Sequence, residues 1–566
     1  MSNKKNNKRF VNPYNFVPLE GICDKKSNRK VGLLTGKIEC TLETLTPVFI
    51  PDSKDKEAFF HYPEDEKPVI PGSEIRGTIR SVFEAAFNGC LSQVNEGSFH
   101  RRSMDAKHPG LLFKTDEGWK LIQCGKIIKT TPYDIEPKSI ILSEGDTLYS
   151  KNNRIFYKKQ IPDGKEGFVH LSEKGPNGKP IFVFQPLRKT YKIEEIEIEY
   201  LLKVLELYER NNDKNEEHSG YIQYKYMLRS MLMDTDRSIK LPVYYSTDAN
   251  GNISHLAPAA LSQEVFKNTL IDILKAQGEY QPCECKQAIC PACHLFGFVN
   301  QQEMQVSRIR FSDATIQKDC TFLDKMTLPA LGEPKPGAVE FYTEKPKNNS
   351  YWTYDYDYIQ EKRRPLKSSE VKIRGRKFYW HHEPKHYPLK TTDKEEMETT
   401  ISPLDKGNRF NFTVYFERLT EKELNQLCNV LDINDSKEHA HKIGRGKPLG
   451  FGSIRITIDS IQTRKINENT GAYDLKTDQQ RKNIAEAQIN QASDLLRILR
   501  YQPGFAKNTV TYPKVEKSSQ EGKPNDLASH QWFNKNKTRN GFKKVLPTIE
   551  EEVSTKSHKW LKINKV

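Results

Sequence analysis

Four of the chain's ten cysteines, Cys283, Cys285, Cys290 and Cys293, crowd into one short run in which Cys290-Pro-Ala-Cys293 forms a CxxC pair. Thiolates this close can complete a tetrahedral zinc shell and so fold a loop too polar to make its own core. His255 or His294 could replace one of the four. Four cysteines leave no open coordination position, so the ion would be structural rather than catalytic. The two additional cysteines, and the lack of a βαβ pattern around them, argue against a redox CxxC. Plain free thiols are the remaining alternative.

Three further stretches could hold phosphate. After Pro71-Gly72-Ser73, Arg76 and Arg80 stand four apart and share a helix face. Free N–H groups at such a helix start attract anions, and guanidiniums add forked donors. Near the other end, Gly444 to Ser453 has four glycines whose backbone can lie directly against phosphates, with Arg445 and Lys447 for charge. Gly-Lys-Ser/Thr is absent and a strand pattern follows, which argues against a nucleotide triphosphatase loop. Between them, Lys372 to His382 interleaves Arg374, Arg376 and Lys377 with Phe378, Tyr379 and Trp380, suiting phosphate contact plus base stacking. Ser73, Arg76, Arg80, Arg374, Arg376, Lys377, Arg445 and Lys447 are therefore the candidate RNA-binding residues. Solvated arginines, a glycine-rich turn and a strand with a buried aromatic face are the plain structural alternatives.

The elements that must position these residues follow from periodicity. Ile38, Cys40 and Leu42 alternate with Glu39, Thr41 and Glu43, predicting a half-buried strand within 33–50. Ser73 is the expected N-cap of a helix whose apolar residues are Ile75, Ile79, Val82, Phe83 and Ala86. Residues 105–190 carry short strand-like pieces and a Pro176-Asn177-Gly178 hairpin signal. A helix over 193–208, a charged connector over 211–217 and a strand over 241–245 follow. Val306 to Ala314 alternates, whereas 328–400 reads as a long loop region. Phe410, Phe412, Val414 and Phe416 predict a strand, and Thr420 with Glu423 makes a capping box opening a helix. Ile454, Ile456 and Ile458 mark a closing strand, and 483–500 is compatible with a helix before a polar tail.

The order strand, helix, variable middle, strand, helix, strand is that of a ferredoxin-like or RRM-like α+β unit. No second copy of the Pro-Gly-Ser or Gly-Arg-Gly motif occurs, so one elaborated module is expected. Its parts are an N-terminal extension (1–32), the first part of the core (33–104) and an insertion region (105–280). The zinc-knuckle segment with return to the core (281–320), a basic, aromatic, loop-rich insertion (321–405), the closing core (406–465) and a C-terminal extension (466–566) complete it.

Lys plus Arg number 89 against 74 Asp plus Glu, a formal charge of +15, which suits a polyanionic partner. Apolar runs fall far short of the roughly 20 residues that span a bilayer, so no membrane role is expected. Met1 to Arg9 is polar with no apolar run following, unlike a signal peptide. The other six cysteines are scattered, consistent with reduced thiols in a cytoplasm.

Five stretches occur together in an order that resembles the RAMP superfamily of CRISPR-associated proteins. They are Leu45-Thr-Pro-Val-Phe-Ile50, Ile70-Pro-Gly-Ser-Glu-Ile-Arg-Gly-Thr-Ile-Arg80, Cys290-Pro-Ala-Cys-His-Leu-Phe-Gly297, Ser307-Arg-Ile-Arg-Phe-Ser-Asp-Ala314 and the glycine loop. They are most similar to the backbone subunits of type III effector complexes. The remainder looks like an enlarged branch with long insertions. The resemblance implies a modified RRM-like fold that grips guide RNA, pairs it with complementary target RNA, and assembles with other effector subunits and copies of itself. It implies too that a zinc-stabilised insertion borders the RNA and that a thumb loop wedges the guide–target duplex open. In several such subunits an aspartate after the first strand helps cleave target RNA, with Mg or another divalent ion as a further cofactor. Here Asp52 and Asp55 are the catalytic candidates, with Asp65 in the same loop, though Ile50-Pro-Asp-Ser-Lys-Asp55 departs from the usual glycine-rich pattern. Two other functions stay open. One is an endoribonuclease that processes precursor guide RNA through His381, His382 or His61; the other is a zinc-stabilised RNA-binding protein outside CRISPR systems.

Overall fold

The computed structural model describes residues 10–553, apart from single positions and short stretches of which 172–180, 211–219, 388–397 and 514–531 are the longest. The Pro176-Asn177-Gly178 turn and the 211–217 connector lie outside the described residues.

Alternating polarity along β1 (Leu34–Thr44) buries Ile38, Cys40 and Leu42 and leaves the residues between them half-exposed. The Pro-Gly-Ser run opens α1 (Gly72–Ala86), which buries Ile75, Ile79, Val82 and Phe83. Each such side chain stabilises the fold by about 1.5–3 kcal/mol. Pro71, not Ser73, holds the N-cap position, and Ser73 sits exposed in the first turn. Asp313 supplies the missing cap: its Oδ1 accepts the Gly72 N–H at 2.7 Å. Placing that carboxylate breaks the expected 306–314 strand in two, β2 (Ile309–Phe311) and the short strand Ala314–Ile316.

The Phe410–Phe416 alternation becomes β3 (Arg409–Leu419), followed by α2 (Glu421–Leu431), where the Thr420–Glu423 capping box forms as expected. The closing strand is β4 (Ser453–Ile466). In space the strands lie β4–β1–β3–β2, every neighbouring pair antiparallel. Helix α1 packs on α2 and β2, and α2 on β3 and β4, with one continuous apolar core beneath. The sheet is thus assembled from residues far apart in sequence.

The described residues of 108–257 build a second sheet, of nine strands among those residues, where the sequence showed only short strand-like pieces. Helices Glu195–Arg210 and Gly220–Leu232 share a core with it through Leu201, Leu205, Tyr224 and Leu228. The 328–400 region, expected as loop, is short-element structure packed around buried Tyr351, Trp352, Tyr354, Tyr356 and Trp380. Its prolines and charges hid an aromatic core. The 483–500 helix shrinks to Asp494–Leu499, because Ser493 accepts the Leu496 N–H and starts the helix there. Among the described residues, no helix is long and apolar enough to cross a membrane.

Candidate metal centre and anion-binding cavity

The structure gathers Cys90, Cys283, Cys290 and Cys293, all buried, with their Sγ atoms within 4.8 Å of one another. Cys90 lies 3.5 Å from Cys293 and 3.6 Å from Cys290, sulfur to sulfur. A tetrahedron with zinc–sulfur bonds of ~2.3 Å has edges of roughly 3.8 Å, so the four thiols match such a shell. Backbone N–H groups of Cys290 and Cys293 point at the sulfurs of Cys283 and Cys290, at 3.3 and 3.4 Å, and favour their thiolate forms. Cys285, expected in the set, is not among the four gathered thiols, and Cys90 stands in its place. Cys285 caps the 3₁₀ turn Lys286–Ala288 and is half-exposed. Its replacement, Cys90, follows α1 by four residues, too far along the chain for local spacing to reveal. Cys23 is a fifth buried thiol beside Cys290.

Neither candidate histidine joins the cluster. His294 Nδ1 meets Glu423 Oε1 at 3.0 Å, and Arg308 bonds both Glu423 and the His294 carbonyl. Burial works against the Glu423 charge, yet bonds from His294, Arg308 and the Thr420 N–H hold its carboxyl down at about 2. The knuckle is thereby bolted to the first turn of α2. His255 lies elsewhere, its Nε2 3.4 Å from Asp355.

Helix α1 has two differently used faces. Arg76 donates to the Phe296 carbonyl, and Arg80 to the Gly297 carbonyl at 3.0 Å, to Glu84 at 2.9 Å and to Cys293 Sγ at 3.3 Å. Both guanidiniums flank the Phe296 ring, 5.8 and 5.9 Å from its centre. The arginine face clasps the knuckle. On another face Ser73, Gly77 and Ser81, one turn apart, are small and exposed.

That small-residue face lines a cavity of about 400 Å³ together with Lys377, Phe378, Tyr379, Lys442 and Lys447. Three of the sequence motifs therefore meet here: the Pro-Gly-Ser helix, the basic aromatic strand and the glycine loop. Burial pushes Lys377 down to about 8 and also lowers Lys442 and Lys447, with neighbouring Lys447 adding to the effect on Lys442 and Glu74 opposing it at Lys447. Three lysines and one acidic residue, Glu74, line the cavity; Lys442 Nζ donates to the Phe451 carbonyl at 2.8 Å and Lys377 Nζ lies 4.0 Å from the centre of the Tyr14 ring. An anion would relieve that imbalance, and a phosphate-sized group with nucleotide attached fits the volume.

Tight backbone contacts shape the glycine loop. A Cβ at Gly444, whose φ is +70°, would meet the Phe49 carbonyl oxygen at 2.4 Å, and one at Gly450, φ +98°, would meet the His382 oxygen at 2.7 Å. Only glycine lets the loop lie between residue 49 and the basic strand. Arg445 is exposed, and its N–H bonds the Phe49 carbonyl at 2.8 Å, joining the glycine loop to the aspartate loop that follows Ile50. In that loop Asp52 Oδ1 accepts the N–H groups of Lys54 and Asp55, which keep its carboxyl below the usual range. Asp55 Oδ1 caps Glu57 in the same way.

The remaining candidates are placed as follows. Arg374 donates to the carbonyls of Thr343 and Pro547. Arg376 is 8% exposed and bonds the Gly89 carbonyl. His381 is fully buried against Ser453 Oγ, and His382 Nε2 approaches the Pro448 carbonyl at 3.3 Å. Burial drives both imidazoles toward the neutral form. Sequence spacing missed Lys442, because a lone lysine before the glycine loop carries no pattern.

A family model described as "RAMPs: RAMP superfamily" matches residues 41–245 and 255–455, well over half of the chain. Among solved structures, a chain of the "Cryo-EM structure of the Type III-B Cmr-beta bound to cognate target RNA" is 8% identical at a TM-score of 0.18. The alignment covers 74% of this chain and 96% of that one. The Csc2 protein of Thermofilum pendens is 11% identical at a TM-score of 0.15, over 67% of this chain and 75% of its own. No curated protein matches the chain.

Proposed function

The chain belongs to the RAMP superfamily, and from that premise we propose that it is a CRISPR-associated protein that binds guide RNA as a backbone subunit of a type III-like effector particle. Its partners would be guide RNA, complementary target RNA, other effector subunits and copies of itself. The observation that carries the proposal is the convergence of Ser73, Lys377 and Lys447 on one lysine-lined cavity beside the glycine loop. Contacts of this kind follow the phosphate chain and read shape, so binding would be largely independent of guide sequence. The β4–β1–β3–β2 sheet with α1 and α2 on it supports a ferredoxin-like, RRM-like core.

The four buried cysteines would hold zinc as a structural ion, which supplies fixed geometry to the knuckle and no reactive position. Cleavage of paired target RNA is a second proposed activity, supported by half-buried Asp52 and exposed Asp55 on a loop that adjoins the glycine loop. Those carboxylates could carry a divalent ion at the RNA edge. Guide processing by His381 or His382 is less well supported, because both rings are turned inward onto protein groups.

Binding of labelled repeat-derived RNA to the purified chain tests the proposal. Replacing Lys377 and Lys447 together by Ala should weaken binding and flatten its salt dependence; unchanged binding would overturn the assignment. Target RNA cut normally by Asp52→Ala and Asp55→Ala variants would dismiss both aspartates.

A further inference from the structure

Two elements touch both the thiol cluster and the lysine cavity. On α1, Arg80 reaches Cys293 while the next residue, Ser81, lines the cavity. On the strand Arg376–Tyr379, Arg376 turns inward while Lys377 lines the cavity. Arg376 is nearly fully buried. One Nη donates to the carbonyl of Gly89, immediately before Cys90, and the guanidinium stands 5.6 Å over the Tyr280 ring. Its Nε has no partner among the described residues. The charged or ionisable groups around it are Glu84, Tyr280, Cys90 and Cys23. A buried guanidinium with a donor unsatisfied is costly unless a strong negative charge lies close by.

Four thiolates around a divalent ion carry two net negative charges, and two guanidiniums beside the cluster, Arg80 bonded to Cys293 and Arg376 bonded to the Gly89 carbonyl, carry two positive ones. Glu84 adds one acidic group, shared between Arg80 and the Ser92 hydroxyl. We infer that Arg80 and Arg376 are the counter-charges of the thiolate–metal shell, and that through them metal occupancy holds α1 and the 376–379 strand in the positions that shape the lysine cavity. This deepens the reading of the four cysteines as a zinc site and rests on it. Both arginines are positioning residues: they act on the RNA-binding cavity through the metal shell. With the metal removed and the thiols protonated, Arg80 keeps Glu84 but Arg376 loses its counter-charge, and the strand that carries Lys377 and Tyr379 loosens.

The test uses the full chain purified without chelator, with zinc retention measured by competition against a chromogenic chelator. Outer-shell partners of a metal typically contribute about 10- to 100-fold to its affinity. Arg376→Met and Arg80→Met should each lose zinc at about 10- to 100-fold lower chelator concentration, and Arg376→Lys, which keeps the charge, should stay close to the parent. With cobalt in place of zinc, loss of the Arg80 hydrogen bond to Cys293 should also shift the thiolate-to-metal absorption band, which a purely packing role would not do. On the unaltered chain, amide exchange across 376–379 should speed up when zinc is removed and slow again on reloading, which keeps the test intact should a variant fail to fold. A zinc-loaded chain indifferent to both Met substitutions, or unchanged exchange in the strand, overturns the inference alone. A chain that carries no zinc overturns the metal reading and this inference with it.

Discussion

The two faces of α1 both meet positive charge, and they use it in opposite ways. On one, Arg76 and Arg80 direct N–H groups to two carbonyls and a sulfur of the knuckle, and Arg80 also to Glu84 on its own helix. On the other, serine, glycine and serine leave room, and the charge comes from three lysines on other elements. A guanidinium is suited to several fixed acceptors at once, an ammonium to a mobile one. A cation therefore signals a ligand only when its donors have nowhere inside the protein to go, a condition that Lys442, whose Nζ donates to the Phe451 carbonyl at 2.8 Å, does not meet.

The largest effect that could break this comparison concerns the metal. In small knuckles zinc binding supplies about 10–16 kcal/mol that is folding free energy. Cys90→Ser should abolish stoichiometric zinc and lower the unfolding temperature sharply, while Cys285→Ser should leave both unchanged. Metal analysis beside thermal unfolding decides it, and the reverse result would restore the sequence-based ligand set.

The next test separates the faces directly. Arg76→Ala leaves the Phe296 carbonyl without its donor and should cost about 1–3 kcal/mol of stability with no change in the salt slope of RNA binding. Lys377→Ala with Lys447→Ala should do the opposite. Stability should hold, and the log–log salt slope should shrink by about 0.7 for each phosphate of a single strand that is no longer neutralised. Equal salt slopes for the two variants would erase the distinction.

Much of the fold was legible because the core strands and helices keep strict periods. Strands β1, β3 and β4 and helix α2 could be read from Ile38–Leu42, Phe410–Phe416, Ile454–Ile458 and the Thr420 cap. The second sheet was not legible, since its strands are rich in lysine and lack clean alternation. At the site, the motifs were legible but their partners were not. Pro-Gly-Ser marked the helix, yet nothing local said that Asp313 would cap it or that the arginines would face the knuckle. Cys90 was missed for the same reason: a ligand from a distant segment leaves no spacing. The basic aromatic strand divides its residues between two surroundings. Lys377 reaches the cavity while Arg374 and Arg376 hold backbone carbonyls, an alternation that follows from the pleat.

A smaller effect would sharpen the role of the lysines. Burial holds Lys377 down to about 8, and a bound phosphate would favour its charged form. RNA binding should therefore take up a proton near neutral pH and weaken as pH rises from 7 toward 9. Affinity measured across that range should show the decline in the parent and a flatter profile in Lys377→Arg. A parallel decline in both would assign the effect to other groups.

The last effect concerns what holds the 376–379 strand from behind. Glu552, on the C-terminal helix Ile549–Val553, is buried, and its Oε2 accepts from Asn15 Nδ2 at 2.7 Å and Trp380 Nε1 at 3.1 Å. Desolvation raises its carboxyl to about 8, against the pull of Asn15, Trp380 and Arg374. The native chain thus keeps a proton there that the unfolded chain releases at ordinary carboxylate pH. The native state binds more protons between about pH 4.5 and 8, so this group's contribution to stability is complete below 4.5 and is lost as pH rises toward 8. Glu552→Gln keeps the shape without the titration. The difference in unfolding temperature, variant minus parent, should be near zero at pH 5 and positive at pH 8.5. A difference that stays flat with pH would mean that Glu552 is charged in the folded chain, with Arg374 as its partner. The C-terminal helix would then be tied to the strand by an ion pair rather than by a neutral hydrogen-bonded acid.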